Sequence, residues 1–306
     1  MIELVVVLAI VTIVGCLSLG AASTSKSTSQ TLQCFHNVNQ MIKAWTMYAA
    51  DNHDWLPANE DNGVYGNWLG GSMSGLGSYN DPTNYGLLNN TYLPAAHAGV
   101  KGAGPSAIGN YIKDSRMAKC PADPGRFDGS GSDPTGSRTN GSWGFRVRNY
   151  SMNGAVGTQS GGVTAVTGPW LNAPSGSGYG SNQPGKPYNT YGNLASWANP
   201  GPANTFVIVD EDPWSINDAG IQVDCALPEY MVDWPASFHD HGAVFSFADG
   251  HAILKHWADS RTYAIQYNHN NQANSQPKNP DIDWLRVHAS GNGDGTPMAV
   301  SATPSP

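Results

Sequence analysis

Charged side chains are scarce in this chain. Asp, Glu, Lys and Arg make up 12% of the 306 residues, and 15 basic residues stand against 23 acidic ones, for a formal net charge of −8. The basic residues are scattered along the sequence. Because nucleic-acid binding requires a concentrated basic surface, the composition predicts no nucleic-acid partner.

The short motifs of the common enzyme classes are also missing. The sequence contains no Cys-x-x-Cys pair, no HExxH motif, no phosphate-binding loop and no dinucleotide fingerprint. Such motifs hold metals or phosphates through a fixed spacing of ligands or backbone amides. Their absence favours a role other than catalysis, and we predict that the protein is not an enzyme.

Turn-forming residues, by contrast, are abundant. The chain has 36 Gly and 21 Pro, a larger share than the roughly 12% of an average protein. They are dense in residues 59–110, 122–142 and 155–200, which we interpret as long loops pinned by single aromatic side chains. The intervening segments predict a short helix at 108–119 and a small antiparallel sheet, with strands at 143–152, 205–210, 243–248 and 252–257.

The first fifty residues contain no proline and predict one long helix. Leu4–Ala22 carries no charge and is just long enough to span a bilayer, which needs about 20 residues. The following part predicts an amphipathic helix, because apolar side chains recur at intervals of three and four: Leu32, Phe35, Val38, Ile42, Trp45 and Ala49. We therefore divide the chain into a hydrophobic helix segment 1–25, an amphipathic segment 26–52 and a globular head 53–306 that ends in a flexible tail.

The opening stretch MIELVVVLAIVTIVG, with Glu3 ahead of the apolar run, resembles the N-terminus of type IV pilins and type II secretion pseudopilins. The match starts at the third residue of the family pattern, so we expect two residues and a leader peptide to precede Met1. A plain membrane anchor and a signal peptide are the alternatives. Glu3 and the lack of Lys or Arg before Lys26 argue against a signal peptide.

This resemblance implies a helical filament of identical subunits, a homo-oligomer. The partners it implies are a prepilin peptidase and an inner-membrane assembly machinery. In the family, the carboxylate corresponding to Glu3 pairs with the N-terminal amine of a neighbouring subunit, which neutralises two charges in an apolar core. The subunit would lie in the inner membrane before assembly and in an extracellular filament at the cell surface afterwards.

A second motif lies in residues 237–257, SFHDHGAVFSFADGHAILKHW. His239 is followed, after nine residues, by Asp249-Gly250, which resembles the H-X9-DG domain of pilin-like proteins. Further islands of similarity lie at Asn39–Asn52, Cys120–Asp123, Tyr150–Gly154 and Thr205–Glu211. The resemblance implies an α+β fold of the type IV pilin-like kind, with a long N-terminal helix packed on a small antiparallel sheet and long Gly-rich loops.

The H-X9-DG residues also have a structural explanation. Asp249-Gly250 predicts the tight turn of a hairpin, and His239 would cross-link its loop to the Asp249 carboxylate. The same stretch is dense in residues that suit a divalent metal, even a catalytic one: His239, Asp240, His241, Asp249, His251 and His256. We favour the structural hydrogen bond, and a metal-dependent enzyme acting through residues 239–256 is an alternative.

A run of acids, Asp210-Glu211-Asp212, is a second candidate metal site, with Asp218 beyond it. Oxygen-rich loops suit Ca²⁺, which is therefore the one candidate cofactor, although the spacing does not match an EF-hand. Solvated loop acids are the simpler interpretation. The candidate metal ligands from both motifs are Asp210, Glu211, Asp212, His239 and Asp249.

Three of the four cysteines, Cys34, Cys120 and Cys225, lie outside the predicted membrane segment, where disulfides persist. Three cysteines cannot all pair. Cys120 can join either Cys34 or Cys225, and the sequence does not choose between them.

The function predicted from the sequence is structural, that of a filament subunit polymerising through its N-terminal helix. The alternative from a different class is a surface-anchored protein that binds carbohydrate or another ligand. In that case some of the 10 Trp and 13 Tyr side chains would stack on sugar rings from the Gly-rich loops.

Overall fold

The computed structural model describes residues 2–59, 67–70, 106–112, 114–123, 148–159, 163–168, 171, 188–212, 215–216, 218–264 and 274–300. Much of the three Gly-rich segments lies outside these ranges. So do residues 143–147 of the first predicted strand and the last six residues of the predicted tail.

Helix α1 spans Ile2–Asp51, 50 residues. Beyond its last turn, the Asn52 side-chain amide donates to the Tyr48 carbonyl, which satisfies one of the free carbonyls of the helix end. His53 and Asp54 follow with φ of 56° and 64°, in the left-handed region that commonly ends a helix. The chain therefore turns sharply back towards the head.

The side chains of residues 1–24, apart from the exposed Thr12, lie outside the described part of the chain. The predicted assembly residue Glu3 and the predicted membrane face of Leu4–Ala22 belong to this part. Within the residues that are described, no helix combines the length and the apolar character needed to cross a membrane.

The second half of α1 packs on the head along one face. Its buried apolar side chains recur at intervals of three and four, as an amphipathic helix requires: Cys34, Val38, Met41, Ile42, Trp45 and Ala49. The predicted stripe is confirmed at Val38, Ile42, Trp45 and Ala49, but it is wrong at Leu32, which is 64% exposed, and the polar Asn37 is buried beside it. Burial of Asn37 is possible because its amide donates to the Lys119 carbonyl and its oxygen accepts from Gln33.

A five-stranded sheet forms the centre of the head, and a two-stranded pair lies apart from it. In chain order the strands are β1 (Tyr150–Asn153), β2 (Phe206–Asp210), β3 (Gly220–Ile221), β4 (Tyr230–Met231), β5 (Gly242–Phe247), β6 (Ala252–His256) and β7 (Asn274–Ser275). The large sheet has the order β3-β1-β2-β5-β6, and β4 pairs with β7.

The large sheet is mixed, since β3 runs parallel to β1 while the other pairs are antiparallel. The α+β class is therefore confirmed, but the expectation of a purely antiparallel sheet is wrong at this edge. Strand β3 has two residues, too few to show an alternating pattern in a sequence.

The predicted hairpin is confirmed. Strands β5 and β6 pair from Gly242 opposite His256 to Ser246 opposite Ala252, and Gly250 has a φ of 93° in the turn. All six residues of β5 are buried, so neither face of this strand is exposed to solvent. The reason is that helices cover both faces of the sheet.

Helix α1 covers one face, where it contacts β2, β5 and β6. The last described helix, Pro280–Ala289, covers the other face and was not predicted. Asn279 caps it by accepting a hydrogen bond from the Asp281 amide. Its Trp284 ring lies 4.9 Å from the ring of Phe245, centre to centre, in an edge-to-face contact. Strand β5 is therefore a central strand enclosed by helices.

Two shorter helical segments complete the described structure. Of the helix predicted over 108–119, a 3-10 turn at Ser115–Ala118 is present, capped by the Asp114 side chain. A single turn of α-helix, α2, spans Ser260–Tyr263, so the helix at Pro280–Ala289 is α3.

Packing of α1 on the sheet predicts a contrast between two neighbouring side chains of the helix. Trp45 is fully buried against Trp197, whereas Met47 is 54% exposed. We expect Trp45→Ala to lower the free energy of unfolding by about 3–5 kcal/mol, because it removes a large buried side chain and leaves a cavity. Met47→Ala should change it by less than about 0.5 kcal/mol. Urea unfolding followed by tryptophan fluorescence or circular dichroism measures both, and equal losses would contradict this packing.

Candidate metal centre

Four side chains that are common metal ligands meet beneath α1: Cys34, Cys120, Asp210 and His239. One ligand atom from each lies within 4.8 Å of the other three. Three of these residues have no exposed surface and His239 is 2% exposed. A buried cluster of ionisable groups is costly unless its charges compensate one another or a bound ion.

The four residues come from four separate parts of the chain. Cys34 lies on the buried face of α1, and Asp210 is the last residue of β2. Cys120 follows the 3-10 turn, where its backbone amide donates to the Asn149 side chain. His239 lies just before β5, and its amide donates to the Gly242 carbonyl. The site therefore exists only where α1 crosses the strands.

The distance between His239 and Asp210 is longer than that of a strong hydrogen bond. His239 Nε2 lies 3.5 Å from Asp210 Oδ2, and Cys34 Sγ lies 3.9 Å from the same oxygen. A charge-assisted N–H···O bond is about 2.7–2.9 Å long. Cys120 Sγ lies 3.2 Å from His239 Nε2. Ligands at about 2.0–2.3 Å from a tetrahedral zinc ion are separated from one another by about 3.3–3.8 Å, which is close to this spacing.

The tautomer of His239 follows from its outer partner. Thr31 Oγ1 lies 3.0 Å from His239 Nδ1 and 3.0 Å from the Ser27 carbonyl oxygen. A hydroxyl has one proton, and the carbonyl can only accept, so the Thr31 hydroxyl donates to Ser27. Its oxygen then accepts from Nδ1–H of His239. Nε2, the other ring nitrogen, therefore faces the cluster, where a bound metal would take the place of its proton.

The other three side chains are held by outer hydrogen bonds as well. Asp210 Oδ1 accepts from the Val244 amide at 2.7 Å, which leaves Oδ2 directed at the cluster. Tyr150 Oη lies 3.1 Å from Cys34 Sγ. The Ala122 amide donates to Cys120 Sγ at 3.4 Å. Each ligand atom is thus oriented by a neighbour, which is a common feature of metal sites.

The electrostatics of the cluster favour a positive charge at its centre. Burial lowers the pKa of His239, but hydrogen bonds to Asp210 and Cys120 outweigh burial and raise it to about 10. Burial raises the pKa of Cys120, yet hydrogen bonds with Cys34 and His239 bring it below its ordinary value. Burial also raises the pKa of Cys34 well above its ordinary value. A proton or a metal cation beside Nε2 would satisfy these groups.

The predicted bond between His239 and Asp249 does not form. Asp249 lies in the turn at the far end of β5, where its carboxylate contacts His251 Nδ1 at 2.6 Å on the exposed surface. Six residues of β5 separate the two motif residues, and such a strand is about 20 Å long. The H-X9-DG spacing is therefore the length of one strand, with His239 at its start and Asp249-Gly250 in the turn after it.

The remaining histidines and aspartates of residues 239–256 point to other partners. His241 packs edge-on against Tyr263, with ring centres 4.2 Å apart, and His251 stacks on Phe247 at 4.3 Å. The His256 ring bonds the Asp240 carbonyl. Of the six candidate ligands in this stretch, the buried cluster contains His239 alone.

Among the predicted acidic ligands, Asp210 joins the cluster, while Glu211 and Asp212 do not. Glu211 is the next residue along the chain and points away from α1, where its carboxyl accepts from the Ser151 hydroxyl. Burial raises the pKa of Glu211 to about 8, so it is largely protonated at neutral pH. In the described residues, Cys34, Cys120, Asp210 and His239 form the one group of three or more His, Cys, Asp or Glu side chains close enough to share an ion.

Cys34, Cys120 and Cys225 are free thiols in the structure, so neither predicted disulfide is present. Cys34 and Cys120 are neighbours in the buried cluster. Cys225 lies elsewhere, with its sulfur 3.9 Å from the Arg286 carbonyl oxygen. The sequence did not lead us to predict that Cys34 and Cys120 lie beside His239. The signal that would have found it is the position of Cys34 one helical turn before Val38 on the buried face of α1.

Comparisons with known proteins give no match to this chain, whether with family models, curated proteins or solved structures.

The geometry predicts effects of different size for Asp210, which lies beside His239, and for Asp249, which the sequence predicted as its partner. Asp210→Ala should lower the free energy of unfolding by about 3–5 kcal/mol, because it leaves a buried histidine and a buried amide without their partner. Asp249→Ala should cost less than about 1 kcal/mol, since its contact with His251 is exposed. Urea unfolding of both variants at pH 7 provides the comparison, and a larger loss for Asp249→Ala would show that the pairing is misassigned.

The surroundings of Cys225 predict a pH effect that is separate from the cluster. Burial raises the pKa of Asp224 to about 6, although its carboxylate accepts from the amides of Ala226 and Leu227 and lies near Arg286. Because the folded pKa exceeds the unfolded value of about 4, the folded state binds more protons between these values. The contribution of Asp224 to the free energy of unfolding therefore decreases as the pH rises from about 4 to 6.

We expect Asp224→Asn to remove this dependence, because asparagine does not titrate. The measured quantity is the free energy of unfolding of the variant minus that of the unmodified protein. This difference should be about 1–2 kcal/mol larger at pH 7 than at pH 4, with the partial exposure of Asp224 to solvent taken into account. Urea unfolding at five or six pH values measures the difference, in which contributions from all other groups cancel. Parallel curves would contradict the shifted pKa.

Proposed function

We propose that this protein is the structural subunit of an extracellular helical filament of the type IV pilus or type II pseudopilus kind. The observation that carries this proposal is the first fifty residues. They place a glutamate directly before an uncharged apolar run, and they continue without a proline into the helix face that packs on the head.

The length of α1 is sufficient for one part to span a bilayer and another part to pack on the head. At about 1.5 Å per residue, its 50 residues are about 75 Å long. At Gln30 the helix is fastened to the head, since the Gln30 side chain donates to the Pro121 carbonyl. The helix before Gln30 is about 40 Å long, which exceeds the roughly 30 Å of a bilayer core. This part would lie in the inner membrane before assembly and pack against other subunits in the filament.

In the proposed filament, Glu3 provides the specific contact between subunits. Removal of an apolar helix from lipid yields little hydrophobic energy, because the lipid is itself apolar. Assembly must therefore be driven by close packing between helices and by pairing of the Glu3 carboxylate with the N-terminal amine of a neighbour. A prepilin peptidase would first expose that amine, and an inner-membrane machinery would then extract the subunit.

The described part of the head supports a structural role. Its tryptophans are buried or half-buried: Trp45, Trp55, Trp68, Trp197, Trp234, Trp257 and Trp284. They act as packing anchors, whereas a sugar-binding surface would expose the face of a ring. The cluster around His239 is closed by four protein side chains, while a catalytic metal keeps a position open for water or substrate.

The filament proposal predicts that Glu3→Ala blocks assembly without unfolding the head. The variant subunit should accumulate in the membrane fraction, and filaments in sheared surface material should fall by at least about tenfold, because an unpaired amine would be buried in the filament core. Electron microscopy and immunoblotting of the sheared fraction measure this. Glu229→Ala, which removes an exposed carboxylate from the head, is the matched control and should assemble normally. Normal filaments from Glu3→Ala would refute the role of Glu3.

A further inference from the structure

We propose that Cys34, Cys120, Asp210 and His239 bind one structural Zn²⁺ ion that fastens α1 to the head. The assignment is independent of filament formation, because every ligand belongs to the described part of a single subunit. It differs from an oxygen-rich calcium site both in its residues and in its chemistry.

The donor set selects the metal. Two sulfurs, one imidazole nitrogen and one carboxylate oxygen are ligands for Zn²⁺, whereas Ca²⁺ and Mg²⁺ require oxygen ligands. Zinc accepts a tetrahedral arrangement of four such atoms. The separations of 3.2, 3.5 and 3.9 Å among the ligand atoms resemble those of a tetrahedron around zinc. Four buried protein ligands make a closed site, which is typical of structural zinc.

The orientation of the ligands is the strongest argument for an ion. His239 Nε2 lies 3.5 Å from Asp210 Oδ2, which is longer than the 2.7–2.9 Å of a direct charge-assisted hydrogen bond and close to the separation of two ligands bound to one zinc ion. Thr31 fixes the tautomer of His239, and the Val244 amide fixes the other oxygen of Asp210. All four side chains are therefore held by partners outside the cluster, with their ligand atoms directed at one point.

A disulfide between Cys34 and Cys120 is the competing interpretation, since the two thiols are neighbours and an extracellular protein meets oxidising conditions. A disulfide would leave the arrangement of His239 and Asp210 without explanation. It would also not use the donors that face the sulfurs, which are the Tyr150 hydroxyl and the Ala122 amide. Such donors stabilise the negative charge of a thiolate bound to a metal.

A surface cleft lies beside the site. Its volume is about 590 Å³, and it lies between residues 27–32 of α1 and the loop before β5. Thr31 and His239 both line it, together with Leu32, Asp240 and Leu254.

The bound ion would act as a cross-link between distant parts of the chain. Cys34 and Asp210 are 176 residues apart, and Cys120 and His239 are 119 residues apart. Binding to the folded state alone raises stability in proportion to the logarithm of the metal concentration over Kd. The ion would hold the head against the helix through which the proposed filament transmits tension.

The metal content of the full-length protein tests this assignment. We expect the chain, purified in detergent under reducing conditions without chelators, to contain about one zinc per chain by inductively coupled plasma mass spectrometry, and Cys34→Ser or Cys120→Ser to contain less than about one tenth. Cys225→Ser is the matched control, because it replaces a buried free thiol outside the cluster. It should keep the full zinc content.

A cobalt titration makes the result independent of whether the variants fold. After removal of zinc from the unmodified protein, Co²⁺ should restore one equivalent of binding, with the intense visible bands of a tetrahedral site and a thiolate charge-transfer band. An intact-mass shift showing a Cys34–Cys120 disulfide, or free thiols that take up no Co²⁺, would overturn the zinc site.

Thr31 provides a finer test, since it is a positioning residue that acts through His239. Thr31→Val keeps the size of the side chain and removes the hydroxyl, so we expect the zinc affinity to fall about 10–100-fold in a chelator competition. Thr46→Val is the control, because Thr46 also donates to a carbonyl one helical turn earlier, that of Ile42, but lies far from the cluster. Equal affinities for the two variants would overturn the positioning role.

Discussion

The packing of one face of α1 across β2, β5 and β6 is the contact on which the rest of the head depends. It buries Val38, Met41 and Trp45, and it closes the sheet on that side while α3 closes the other. Strand β5 is buried on both faces only because two helices enclose it. The same packing brings Cys34 to Asp210 and Thr31 to His239. The core and the buried cluster are therefore consequences of one helix–sheet contact.

This arrangement separates two tasks along a single helix. From Gln30 onward, the helix contacts the head through hydrogen bonds and apolar packing. In the proposed filament subunit, the uncharged run before Gln30 would pack against lipid and then against other helices. A filament subunit has to pass between these two environments without unfolding its head. A zinc ion that links α1 to three segments of the head would resist the separation of helix and sheet during that transfer.

The H-X9-DG spacing acquires a physical meaning in this fold. Nine residues form one central strand with its short connections. They link a loop at one end of the sheet to a turn at the other end. Gly250 allows that turn through its positive φ, and Asp249 supports it through its contact with His251. His239 has a different task, since it faces the buried cluster. The motif therefore holds two residues of the turn and one residue of the core, and His239 does not interact with Asp249.

The sequence by itself determined the features that depend on local periodicity and turn chemistry. These are the amphipathic character of residues 26–52, the buried strand β2, the hairpin at Asp249-Gly250 and the α+β class. Only the tertiary structure decided which segments pack together. It left Leu32 of α1 exposed and Asn37 buried, placed the two-residue strand β3 parallel to β1, and paired His239 with Asp210 and Cys120 instead of Asp249. The physical reason is that periodicity shows which side of an element is apolar, whereas contacts between residues more than 100 positions apart depend on the packing of whole elements.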